Sequence, residues 1–249
     1  MSQQLGTLRQ EAPAPCHLLA WDTEFWGRPI ARVDASSVTP DSVRAIDEWC
    51  LAHGVGCAYL LLDVGDSAST LAAERGDFFL TDVRVTFRAD LRGRVTQPRP
   101  HVRPAQPRDR EPLAELARVC HDTTRFFHDP HFDRERCGEL YARWMLSSID
   151  GGAATVLVAE IGGAPVGYVT CEAGRIGLIA VAESARRRGV GQALCDAAFD
   201  SFVELGEQTV EIVTQGRNLP AQRLFQRAGA HVDGVELWFH KWYPPVRTA

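Results

Sequence analysis

The stretch from Thr155 to Gly191 limits the fold most. Runs 155–160, 165–171 and 175–182 are strand-like, and they are joined by Gly162-Gly163 and by Glu172-Ala173-Gly174. Connections this short make successive strands antiparallel neighbours. The third run then passes through Arg186-Arg187-Arg188-Gly189-Val190-Gly191 into a segment with apolar residues at Ala193, Leu194, Ala197 and Phe202. That spacing is the stripe of a helix packed on a sheet. An antiparallel meander feeding a basic, glycine-containing turn and a packed helix specifies an α/β (α+β) chain.

The remaining elements extend this pattern. Run 208–214 reads as a buried strand, followed by a helix with Asn218 as N-cap, Pro220 in its first turn and Gly229 just beyond its end. Run 235–242 supplies a last strand. Helices are expected around 113–119 and 140–146. Nearer the amino terminus, 30–33 and 59–63 read as strands, 40–53 as a helix between Thr39 and Gly54, and Val83, Val85, Phe87 and Ala89 as the alternating face of a half-buried strand. Prolines and a glycine interrupt all periodicity between Leu91 and Pro104. The expected organisation is therefore a small α/β domain over 1–90, a linker at 91–100 and the main domain over 101–249. No internal repeat stands out on either side of the linker.

Charge and composition remove several function classes. The 27 Lys+Arg and 32 Asp+Glu leave a formal charge of −5, so no general field draws the chain to nucleic acid or an anionic membrane. Apolar runs such as Tyr59-Leu60-Leu61-Leu62 fall far short of the roughly 20 residues of a membrane span, and the first seven residues carry no signal-peptide pattern. The seven cysteines are scattered, odd in number and without a C-x-x-C pair, which fits reduced thiols and a cytoplasmic address.

A small local anion site is a different matter. Successive backbone N–H groups at a helix start, reinforced by the macrodipole, hold phosphate, and Gly189 and Gly191 permit close approach while the three arginines add charge. The same residues also suit a solvated turn. Neither the dinucleotide fingerprint G-x-G-x-x-G nor a P-loop is present.

Val181 followed by Arg186-x-x-Gly189-x-Gly191 resembles the acetyl-CoA signature of the GNAT superfamily, and Asn218-x-x-Ala221-x-x-x-Phe225-x-x-x-Gly229 resembles its second motif. The resemblance implies the GNAT acyltransferase fold, with a mixed, largely antiparallel sheet, preceded here by the smaller domain. It also implies acetyl-CoA or another acyl-CoA as co-substrate, and no metal. The backbone of Leu178, Ile179, Ala180 and Val181 would pair with the pantetheine arm. The amides of Arg186, Arg187, Arg188, Gly189, Val190 and Gly191 would hold the pyrophosphate, and Asn218 and Ala221 would meet the donor. Asn218 would equally serve as a plain N-cap. Many members carry a tyrosine acid where this chain has Phe225, which has no proton to give. Glu172, at the turn before the donor strand, is the candidate base, although turn carboxylates are commonly solvated.

Further segments resemble the dTDP-fucosamine acetyltransferase branch: Leu19-Ala-Trp-Asp22-Thr-Glu-Phe25-Trp26-Gly27, Thr124-Arg125-Phe126-Phe127-His128-Asp129-Pro-His-Phe132, and Leu140-Tyr141-Ala-Arg-Trp144. That branch acetylates nucleotide-linked deoxyamino sugars. Arg125 would then pair with an acceptor phosphate and Asp129 would orient an amine or hydroxyl; the aromatics equally suit a core. Other readings are an amine of a small metabolite or antibiotic as acceptor, an acyl carrier protein as donor, and a non-catalytic CoA-binding module. A homodimer is compatible with the chain. The residues from Cys120 to Cys137 match no common zinc spacing.

Overall fold

A computed structural model describes residues 14–97, 99 and 101–244. The chain packs into two compact units, one formed by the residues before Thr81 together with those after Trp238, the other by Thr81–Trp238.

In the first unit, β1 (Cys16–Leu18) pairs antiparallel with β2 (Ile30–Val33), and β2 pairs parallel with β3 (Cys57–Asp63). Helix α1 (Ala20–Trp26) lies between β1 and β2 in the chain, and α2 (Pro40–Ala52) makes the crossover to β3. Thr39 caps α2 in a capping box with Ser42, and Pro40 occupies the first turn, where no N–H is needed. Helix α3 (Ser67–Arg75) follows, capped by Asp66.

In the second unit, β4 (Phe79–Asp90), which starts in the first, pairs antiparallel with β9 (Thr209–Gln215) from Arg84↔Gln215 to Asp90↔Thr209. Strands β6 (Thr155–Ile161), β7 (Ala164–Glu172) and β8 (Arg175–Val181) form the expected antiparallel meander, β5 (Val102–Pro104) adds antiparallel to the edge of β6, and β8 joins β9 in parallel. The sheet is mixed, as expected. Helix α7 (Val190–Glu204) packs on one face, over a core that includes Phe87, Val169, Cys195, Phe199 and Ile212. Helices α4 (Arg110–Cys120) and α6 (Arg134–Ser147) pack together, α4 also against β7 and β8, and the short α5 (Arg125–His128) connects them. Helix α8 (Leu219–Arg227) leads into β10 (His231–Trp242), whose last residues lie beside β3 in the first unit.

Two features bear on the division of the chain. The division between the two units falls at Thr81, and most of β4 pairs with β9. Within the stretch expected as a linker, Leu91 is buried, and Arg94 and Arg99 are ion-paired with Asp196 and Asp200 of α7. Residues 98 and 100 of that stretch lie outside the described residues.

An internal repeat is also present. Adding 152 to the residue numbers turns β3 into β9, α3 into α8 and β4 into β10, end for end. It turns the last residue of α2 into that of α7, and the cap Asp66 into the cap Asn218. The positive-φ pair Gly54 and Asp77 likewise becomes Gly206 and Gly229. Only 6 of the 53 residues from 38 to 90 are identical to their counterparts, so the repeat is absent from the sequence pattern.

Candidate functional site

The candidate site grows from a fork between two parallel strands. β8 and β9 are in register only at Arg175↔Glu211 and Ile176↔Ile212, although β8 runs on to Val181 and β9 to Gln215. On its other edge β8 stays paired with β7 as far as Gly167↔Val181. Ala182 donates its N–H to the Val166 carbonyl, so by strand alternation Ile179 and Val181 turn their N–H and C=O groups toward the fork. An extended amide chain could add there as a strand. A bulge at Thr170 shapes the base of the fork, where the Thr170 hydroxyl accepts the Leu178 N–H at 2.7 Å. The Val181 carbonyl is already used, accepting from Arg186 Nε at 3.1 Å with the Cys120 thiol 3.8 Å away.

Beyond β8 the chain turns through Glu183–Ala185 to Arg186, and then Arg187 and Gly189 adopt left-handed conformations with φ of 59° and 80°. Alternating hand in successive residues makes a concave nest of backbone N–H groups, and this one opens at the start of the fifteen-residue α7. Arg186, Arg187 and Arg188 are exposed around it. A Cβ on Gly191 would stand 3.3 Å from Leu224 of α8, so the glycine lets the two helices approach. Asn218 caps α8, its Oδ1 accepting the Ala221 N–H at 3.3 Å. These residues fit a diphosphate with an extended arm, the chemistry of coenzyme A.

At the base of the fork is a cavity of about 440 Å³ lined by Arg84, Trp144, Glu172, Arg175, Leu178 and Val213 among others. Oε2 of Glu172 accepts from the Arg175 guanidinium. Its Oε1 lies over Gly177, where a Cβ would come within 2.4 Å. The absence of a side chain at 177 therefore lets the carboxylate lie against β8. A second cavity of about 490 Å³ at the β5–β6 edge, lined by Pro104, Arg110, Asp150 and Thr155 among others, contains none of the motif residues.

Three other residues singled out in the sequence lie elsewhere. Phe225 is 1% exposed in the core, edge-on to Phe87 with ring centroids 5.8 Å apart. The Asp129 side chain is fully buried, and its Oδ1 accepts from the backbone N–H and Nδ1 of His131 at 3.0 and 2.9 Å. The Arg125 guanidinium is stacked 4.0 Å from the Trp238 ring centroid and 4.4 Å from that of Phe126. Neither Arg125 nor Asp129 lines the cavity at the fork. Asp129 is held within the α5–α6 connection by its neighbour His131, whereas Arg125 reaches the distant Trp238 of β10. Among the described residues no group of three His, Cys, Asp or Glu side chains is arranged to hold a metal ion. None of the described helices is long and apolar enough to cross a membrane.

Four further residues lie at the site; Trp144 is marked in the sequence only as part of the 140–144 segment, and the others are given no role there. Arg84 and Trp144 line the cavity. His121 places Nε2 at 2.7 Å from the Tyr168 hydroxyl and stacks on Tyr141, with centroids 4.7 Å apart. Thr123 reaches Gln215 at the tip of β9. With the Cys120 contact to Val181, this ties the α4–α5 connection to both arms of the fork. Burial holds the His121 imidazole down to about 4.

Residues 113–230 match the family model described as Acetyltransferase (GNAT) family. The spore coat polysaccharide biosynthesis protein SpsD of Bacillus subtilis is 28% identical over 143 residues, covering 56% of this chain and 50% of that protein. The dTDP-fucosamine acetyltransferase of Escherichia coli O6:H1 is 26% identical over 144 residues, covering 55% of this chain and 61% of that one. The match thus spans about half to three fifths of these two relatives. The GCN5-related N-acetyltransferase from Sphaerobacter thermophilus superposes with a TM-score of 0.62 at 17% identity, covering 93% of this chain and 77% of that structure.

Proposed function

We propose, from the premise that residues 113–230 are an acetyltransferase domain of the GNAT family, that this chain moves an acetyl or other short acyl group from acyl-CoA to a primary amine on a nucleotide-linked deoxyamino sugar. The observation that carries the reading is the fork, with the N–H nest of residues 186–191 at its open end and Glu172 at its base.

Each part supplies one element of direct transfer. The open edge of β8 aligns the donor, and the nest compensates the diphosphate. A backbone N–H of β8 facing the fork, such as that of Ile179, stabilises the oxyanion formed when the amine attacks the thioester carbonyl. Glu172 takes the proton of the attacking amine, directly or through water, while Arg175 holds its other oxygen in place. The carbon–sulfur bond then breaks and the thiolate leaves. A thiol pKa of about 8.5 lets it depart and gain a proton from water without a side-chain acid. The sugar acceptor is supported by the names of the two relatives, both tied to carbohydrate products. The cavity lining supports it too, with Trp144 as a flat face and Ser147, Arg84 and Arg175 as polar partners.

The test is thiol release from acetyl-CoA with a panel of amines that includes dTDP- and UDP-linked amino sugars. A nucleotide-linked amino sugar should give the highest kcat/KM. Glu172→Gln should lower kcat about 10²- to 10⁴-fold with CoA affinity unchanged. Preference for a free metabolite amine would overturn the acceptor, and CoA binding without turnover of any amine would favour a non-catalytic module.

A further inference from the structure

We infer that residues 38–90 and 190–242 are two copies of one half-domain, that only the second binds an acyl donor, and that the first has become the source of an acceptor-side strand carrying Arg84. The inference rests on the proposed function for the chemistry of the donor site, and on the 152-residue repeat for everything else.

The donor features of the second copy have closed counterparts in the first. Between β8 and α7 stand three arginines and two left-handed residues. Between β2 and α2 the segment 34–39 contains no glycine, lysine or arginine and no residue with positive φ. Helix α2 begins at Pro40, which has no N–H, and the Ser42 N–H is taken by Thr39 Oγ1 at 3.2 Å. Both backbone groups of Val38 are engaged by Ser69 Oγ, at 2.8 and 3.1 Å. Where the second copy has the amide Asn218, the first has the carboxylate Asp66, bonded to the same Ser69 hydroxyl at 2.5 Å. A diphosphate here would meet capped amides and negative charge, so the helix start is satisfied internally.

What the first copy retains is its last strand. β4 covers the free edge of β9 from Arg84 to Asp90, while β10, its counterpart in the second copy, ends beside β3. Each copy thus gives its final strand to the other's sheet. Arg84 and its own counterpart Glu236 are ion-paired, and Arg84 lines the cavity that holds Glu172 and Arg175. Arg84 therefore belongs to the first copy by sequence and to the acceptor cavity by position, which makes it a specificity-determining residue for the acceptor.

Calorimetry of the whole chain with CoA should give one site per chain. Gly191→Glu should abolish binding, because its carboxylate would occupy the phosphate position, while Asp34→Ala should leave it unchanged. Two sites, or binding that survives Gly191→Glu, would overturn the donor assignment. For the strand, Arg84→Met should raise KM for the panel amine with the highest kcat/KM about tenfold or more, leave KM for acetyl-CoA within twofold, and be partly rescued by Arg84→Lys. Thermal melting of each variant guards against general damage. Equal effects on both substrates, or none, would refute the acceptor role. A parent chain that binds no CoA would refute the proposed function itself, and one that binds CoA but turns over no amine would refute both the acceptor role and that function, leaving the donor count to the calorimetry.

Discussion

Phe225 shows how one side chain can be read two ways. Its motif position suggests a place beside the departing sulfur, yet its ring is enclosed in the core against Phe87. A hydroxyl added there has to be desolvated, and without a partner that costs about 1–3 kcal/mol. Phe225→Tyr should therefore lower the melting temperature and leave kcat unchanged. A clear rise in kcat on a stable background would mean that the ring edge does reach the donor channel. Glu172 is the opposite case. It sits at an ordinary turn in the sequence, but Gly177 and Arg175 together turn its carboxylate onto β8.

At the scale of elements, the α4–α5 connection is held over the fork by buried polar contacts, and these make its packing sensitive to pH. His121 is neutral in the fold, with its pKa depressed by burial from 6.5 to about 4. Its contribution to stability is present above pH 6.5 and is lost as pH falls through about 4, since the unfolded chain takes up the proton first. Asp82, next to Arg217 and the start of α5, works in the other direction. Burial raises it to about 6, so its contribution is present below about 3.8 and is lost as pH rises through 6. Two opposed windows flatten the acid limb of the stability curve. His121→Asn should remove the loss between pH 6.5 and 4 while Asp82 continues to act, so the variant should gain in melting temperature relative to the parent on acidification. Parallel pH profiles for variant and parent would show that His121 does not titrate as its burial implies.

At the scale of the whole molecule, the exchanged strands decide what can fold alone. A fragment spanning 101–249 contains the entire family match but lacks β4, so the edge of β9 and the core surface that packs against Phe87 would be exposed. An unpaired, apolar edge strand is an aggregation site. The fragment should be aggregated or molten by size-exclusion and near-UV circular dichroism, whereas one beginning before β4, at residue 77, should be better behaved. A monomeric, cooperatively folding 101–249 fragment would show that β4 is dispensable.

The sequence by itself determined the elements whose signals are local. The 155–182 meander, the capped helix after Asn218 and the basic turn into α7 are fixed by alternation, turn glycines and caps within a few residues of each other. The resemblance implies acyl-CoA as donor from the same residues. Helix α3 gave no such signal, because Ser67, Ser69 and Thr70 are poor helix formers and its capping by Asp66 becomes informative only beside Asn218. Tertiary structure alone decided which strand completes the sheet, that Arg84 rather than Arg125 lines the cavity, and that Phe225 and Asp129 are buried. These depend on contacts such as Arg84–Glu236, 152 residues apart in the chain. Neither residue's local pattern carries any trace of the other, since pairing across such a distance is selected by the whole packed sheet.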